Sequence, residues 1–155
     1  MIVRRLARPL LAAIFISGGI NALRDAQGHA KAAEPLLNRT IGTETVDAVT
    51  LVRADAAVKV GAGTALALGR LPRLSAVLLL GSLVPTTAAG HPFWESEDPG
   101  ERQQQLIHFL KNAGLAGGLL LAMADTGGKP SLGWRARRAA RKAGEQAGEL
   151  ADRVR

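Results

Sequence analysis

Residues 74–90 read LSAVLLLGSLVPTTAAG, a run without one charged side chain, and they follow directly on Arg70-Leu71-Pro72-Arg73. At ~1.5 Å of rise per residue, a helix of that length reaches about 26 Å, close to the ~30 Å of a bilayer's hydrocarbon layer. Working outward, residues 6–23 form a second run that is uncharged except for Arg8. Two weaker stretches lie at about 49–69, interrupted by Arg53, Asp55 and Lys59, and at about 104–124, interrupted by His108 and Lys111. Either of these alone would pass for a buried helix of a soluble protein. Together the four segments predict an all-α protein with spans near 6–24, 49–69, 74–90 and 104–124.

Composition agrees with that segregation. The 155 residues suit one domain, apolar side chains make up 47% before the 18 glycines are added, and charged residues still reach 21%. A typical soluble domain is ~45–50% apolar with glycine included. The absence of cysteine excludes a disulfide framework, thiol catalysis, c-type haem attachment and Cys-ligated metal centres. A net charge of +7 would suit a nucleic-acid binder if the cations covered one soluble face. Instead they cluster at span ends: Arg4, Arg5 and Arg8 open the chain, Arg70 and Arg73 fall between two apolar runs, and Arg135, Arg137, Arg138, Arg141 and Lys142 follow the last run.

With the N-terminus in the cytoplasm, all three basic clusters fall inside and the acidic segment from Glu95 to Glu101 falls outside, as the positive-inside rule requires. The expected topology is therefore a four-helix transmembrane bundle with both termini cytoplasmic: a membrane domain over 1–128 and a basic cytoplasmic tail over 129–155. Trp94 and Trp134 each fall just beyond a span, at opposite interfaces. The polar stretch 28–45 reads as the longer external loop. A cleaved signal peptide is the competing reading of the N-terminus, with Ala30-Lys31-Ala32 as its cleavage site. The polar residues 21–29 separate that site too widely from the apolar run.

The stretch Gly90-His91-Pro92-Phe93-Trp94-Glu95, then Asp98-Pro99-Gly100-Glu101-Arg102, Phe109-Leu110-Lys111-Asn112 and Gly117-Gly118-Leu119-Leu120-Leu121, resembles the DoxX family of small bacterial membrane proteins. The opening Arg4-Arg5-Leu6-Ala7-Arg8-Pro9 with Ser17-Gly18-Gly19 is similar to that family's first helix, and the resemblance extends over roughly residues 1–135. It implies a multi-pass protein of the bacterial cell membrane, set among quinone-linked oxidoreductase systems with redox protein partners. It carries over no catalytic motif.

Ionisable groups within spans matter most, because each costs ~2.5–3.5 kcal/mol at a helix centre unless paired or solvated. Asp55 and Lys59 stand four apart and share a helix face, as do His108, Lys111 and Asn112. Counting from the external ends, Asp55 and His108 both lie about 9 Å deep. With Arg24 at the external end of the first span, this predicts a polar outer half above an apolar inner half. Two uses of that cluster are open. One is an ion-pair network that only fixes helix register. The other is a pocket in which Arg24, Lys59, His108 and Lys111 bind a quinone headgroup or small anion, with Asp55 as partner of Lys59. Proton transfer through Asp55 and His108 is a third chemistry. The small residues Ala57, Gly61, Ala65 and Gly69, and Gly114 with Gly118, are candidate helix contacts. Pro85 should disturb its helix, with Ser82 or Thr86 satisfying freed groups. His29, His91 and Glu95 lack metal-ligand spacing.

The tail reads as an Ala-rich basic helix suited to anionic lipid rather than nucleic acid, since no aromatic residues interleave its cations. The function expected from sequence is an accessory or non-catalytic membrane subunit of a quinone-linked redox assembly. A quinone-reactive enzyme and a membrane anchor recruiting partners through its basic tail are the alternatives. Carbonate washing of membranes should leave the intact chain in the pellet; release into the supernatant would overturn the membrane reading.

Overall fold

The computed structural model describes residues 2–40, 47–125 and 132–153, and all of its regular structure is helical. Six helices follow one another: α1 (Ile2–Arg24), α2 (Ala26–Thr40), α3 (Ala48–Ala67), α4 (Pro72–Gly90), α5 (Pro99–Ala124) and α6 (Leu132–Arg153). The four apolar stretches fold as α1, α3, α4 and α5. Among the described residues, α1, α4 and α5 are long and apolar enough to cross a membrane. The protein divides into two units, Met1–Ala124 and Asp125–Arg155.

Aspartates start three of these helices. Asp25 Oδ1 accepts from the Gly28 amide at 3.0 Å, Asp47 Oδ2 from the Thr50 amide and hydroxyl at 3.0 Å each, and Asp98 Oδ1 from the Glu101 amide at 2.7 Å. Each carboxylate satisfies an amide that has no intrahelical partner and sits at the positive end of a helix dipole. The Thr50 hydroxyl, followed by the Thr50 amide, holds Asp47 below the usual carboxylate pKa. The end of α3 closes in a Schellman motif. Gly69 takes φ 69°, its amide donates to Leu66 O at 3.0 Å, and that of Arg70 to Ala65 O at 2.8 Å. Leu71 is left-handed as well, at φ 46°, and stands as the N-cap of α4 directly ahead of Pro72. A tight reversal then delivers the chain into α4.

The stretch expected as an external loop is corrected by α2. Residues 26–40 are helical, capped by Asp25, and Ala26 and Ala30 are buried. Polar residues concealed the pattern, because the positions of α2 that are buried, Ala26 and Ala30, are small alanines. The remainder of that stretch, 41–45, lies outside the described residues.

The broadest contact is α1 against α3, followed by α4 with α5 and α3 with α4. Here too the sequence expectation needs correction. Ala57 and Gly61 are exposed, and a Cβ on Gly61 or Gly114 would meet nothing within 4 Å. The close approach uses Gly19 and Gly63 instead. A Cβ on Gly19 would lie 2.9 Å from Ala56 O, and one on Gly63 would lie 2.8 Å from Ile16 Cγ1. Gly118 meets Leu11 of α1, at 3.3 Å from a built Cβ. A repeat of small residues marks every face it occupies, so spacing alone could not select the packed one. α4 continues through Pro85, beside which Thr86 Oγ1 donates to Ser82 O at 2.8 Å.

The apolar core gathers toward the Gly69–Leu71 reversal, where Leu66, Leu79 and Leu119 are fully buried beside Ala12, Phe15 and Ala76. Gly19→Ala should lose about 1–3 kcal/mol, because Ala56 backbone cannot yield as a side chain would. Gly61→Ala should gain about 0.5–1 kcal/mol from helix propensity. Thermal melting of both variants in detergent checks the helix crossing, and equal shifts would refute it.

Candidate functional site

Polar side chains from α3, α4 and α5 meet toward the end of the bundle opposite that core. Lys59 Nζ lies 2.8 Å from Asp55 Oδ2, the side chains being 15% and 30% exposed. One helical turn separates them, so the pair is set by α3 alone. Ser82 Oγ of α4 donates to the other carboxylate oxygen, Oδ1, and so fixes α3 against α4. The expected ion pair is therefore present, with a third member whose role sequence reading missed. Ser82 or Thr86 was expected to answer the groups freed by Pro85; Ser82 turns to Asp55, and Thr86 Oγ1 donates to Ser82 O and Leu83 O.

Farther along α4, the Thr87 hydroxyl donates to Leu83 O at 2.7 Å and accepts from Asn112 Nδ2 at 3.1 Å. His91 Nδ1, at 2.8 Å from Gln105 Oε1, is the donor in the next link between α4 and α5. The His91 and His108 rings stack at 5.0 Å with 20° between planes. Lys111 Nζ donates to His108 Nδ1 at 3.4 Å. Beside this seam, Phe93, Trp94 and Phe109 form an aromatic cluster with ring centroids 5.1–6.3 Å apart.

The structure thus joins Asp55 with Lys59, and His108 with Lys111, but at two levels. Asp55 stands opposite Ser82 and His108 opposite His91, nine residues or about 13 Å apart along α4. The equal depths expected from sequence do not hold, because α5 begins at Pro99 and several of its turns precede the level of His91. Arg24 is exposed at the end of α1 and makes no hydrogen bond or ion pair among the described residues. His91 and Gln105 were not anticipated as partners. The signal was nevertheless present: Leu83, Thr87 and His91 recur every four residues on one helix, and Gln105, His108 and Asn112 recur at three and four on the next.

What this layer can do is donate. Lys111 is exposed, with an ammonium that has protons beyond the one given to His108, and Asn112 keeps an amide hydrogen and its carbonyl oxygen without a partner among the described residues. Such groups suit a carbonyl or an anion. Among the described residues, no three His, Asp or Glu side chains form a group that could hold a metal ion.

A family model described as DoxX matches residues 4–92. The chain belongs to the DoxX family. That match runs from α1 through α4, so the DoxX segment carries Asp55, Lys59, Ser82, Thr87 and His91, while Gln105, His108, Lys111 and Asn112 lie beyond it. No curated protein and no solved structure is significantly similar to the chain. As a DoxX-family chain with three helices apolar enough to cross a membrane, it is a membrane protein.

Within the second unit, α6 carries Arg137, Arg138, Arg141 and Lys142 on one side and Ala139, Ala140 and Ala143 on the other, by helical spacing. The Arg138 guanidinium sits 5.0 Å over the Trp134 ring.

Replacing Lys59 with Met should destabilise the protein in detergent by about 1.5–3 kcal/mol, because it strips a charged hydrogen-bond partner from a half-buried carboxylate. Changing Asp55 and Lys59 together to apolar residues should restore much of that loss. Melting that leaves single and double variants identical to the parent would show that the pair is not held in the bundle.

Proposed function

We propose that this DoxX-family protein is a four-span subunit of the bacterial cell membrane that holds a quinone headgroup without transforming it, as an accessory component of a redox assembly. The observation that carries the reading is the donor layer of Lys111, His108 and Asn112 at the open end of a bundle whose other end is packed with leucine. A polar layer that stops at an apolar core suits retention of a ligand rather than its passage. Cations and amides favour a ligand with carbonyl oxygens, and the aromatic cluster nearby favours one with a flat ring.

In this arrangement α3 serves as the fourth span, its charge at Asp55 and Lys59 neutralised within the bundle rather than offered to lipid. Lys111 and His108 are the headgroup donors. Lys59 lies deeper and acts through Asp55 and Ser82, while Arg24 stands apart. Both termini are cytoplasmic by the placement of the arginine clusters, which brings the basic side of α6 to anionic lipid at ~1 kcal/mol per cation near the surface.

The stacked imidazoles beside Lys111 also fit a quinone-reactive enzyme, since histidine can take or give the proton that accompanies quinone reduction. Titration of a soluble quinone analogue against the parent and Lys111→Leu separates these possibilities. Loss of a charge-assisted donor should weaken binding about tenfold or more while the fold survives. Turnover with an electron donor would favour the enzyme. Equal binding, or binding to neither, would leave a membrane anchor that recruits partners through α6.

A further inference from the structure

The α4–α5 seam has a second side, away from the His108–Lys111 pair. There a groove of about 250 Å³ runs between the two helices. Its walls are Leu83, Val84 and Ala88 from α4 and Ala113 and Ala116 from α5, and Trp94 and Phe109 frame its mouth. The alanines make the groove, because they leave empty the width that larger side chains would fill. From Phe109 to Ala116 it follows the helix axis for about 10 Å. No charged residue lines it.

Both helices that build this groove are apolar enough to cross a membrane, and Val84 and Ala113 on its walls are exposed. A polar pair interrupts it near the mouth. Asn112 Nδ2 gives one hydrogen to Thr87, and Thr87 gives its own to Leu83 O. The second amide hydrogen of Asn112 and its carbonyl oxygen have no partner among the described residues. In a bilayer a free amide is costly where water is excluded, and it is relieved by an oxygen of the lipid itself. Glycerolipids carry such an oxygen, the ester carbonyl, directly above the acyl chain.

We infer that the groove seats one acyl chain of a glycerolipid from the leaflet on the α2 side of the bundle. Asn112 donates to the ester carbonyl, Trp94 and Phe109 flank the first methylenes, and the chain descends past Ala113 and Ala116 along Leu83. The absence of charge along the walls selects a neutral hydrocarbon segment and leaves the lipid's headgroup outside, at the interface that tryptophan favours. The inference needs the membrane setting only; it shares the Asn112 hydrogen with the quinone reading, whose other donors, Lys111 and His108, lie outside the groove.

The full chain in nanodiscs, containing a glycerolipid with a photoreactive diazirine midway along one acyl chain, tests it. Crosslinks should concentrate on residues 83–88 and 109–116 rather than spread along the exposed faces of α1 and α5. Ala113→Phe, which fills the groove, should reduce that labelling about tenfold, and Asn112→Leu, which removes the donor together with its bond to Thr87, should reduce it about threefold to tenfold. Labelling of α1 serves as the internal control. If Ala113→Phe fails to fold, Asn112→Leu and Ala88→Leu decide the matter. Even labelling along the helices, or labelling unchanged in the variants that fold, would overturn the proposal. So would displacement of the glycerolipid by a diazirine-bearing polyisoprenoid, which would make the groove a seat for an isoprenoid tail instead.

Discussion

A carboxylate on a helix enclosed by apolar neighbours has to be answered by other side chains, and Asp55 imposes that requirement on the rest of the bundle. Lys59 answers it within α3, but one cation covers one oxygen. The other is taken by Ser82, which belongs to α4. Because Ser82 is fixed on α4, α3 and α4 can adopt only the register that brings the hydroxyl opposite the carboxylate. Sliding α4 by one turn would take the Ser82 hydroxyl away from Oδ1 and leave Asp55 to Lys59 alone, a loss of about 1.5–3 kcal/mol for a hydrogen bond to a charged group. The pair thus contributes more to register than to net stability.

The same residues depend on the way α1 packs. A side chain at Gly19 would press on Ala56 O, on Val60 and on Lys59 Cβ, the last at 3.0 Å. Gly19 is therefore the reason α1 can lie across the turn of α3 that carries Lys59 without displacing it. Between lipid-facing helices there is no hydrophobic drive toward association, and close backbone contact has to supply the attraction. Glycine there serves the packing and the ion pair together. Gly61, on the opposite face, serves neither.

Much of this was legible in the sequence. The apolar runs at residues 6–23 and 74–90, the pairing of Asp55 with Lys59, and the DoxX resemblance all follow from residue order. The second helix was not, because the buried positions of α2 are the alanines Ala26 and Ala30 among polar neighbours, and an alanine-lined face has little apolar contrast for a periodicity to detect. Nor was the choice between small-residue faces, since Gly19 and Gly63 differ from Gly61 only in what lies opposite them. The contact between His91 and His108 depended on how far α5 begins before the end of α4. That offset is set by the turn after Gly90 and by the Asp98 cap, where a one-turn error shifts every partner by about 5 Å.

The two levels of the polar layer differ in what holds them. The Asp55 level is locked on several sides: by its own helix through Lys59, by α4 through Ser82, and by α1 through Gly19. The His108 level joins α5 to α4 only, through Asn112 with Thr87, His91 with Gln105 and the stacked imidazoles. α5 is also the least buried of the three helices apolar enough to span a membrane, with Leu119 as its single fully buried side chain among the described residues. Substitutions on α5 near the seam should therefore loosen the α4–α5 contact at little cost to the α1–α3–α4 packing. Those near Asp55 should disturb the bundle as a whole. That division separates the polar side chains of α5, Lys111, His108 and Asn112, from the Asp55–Lys59 pair held within the bundle.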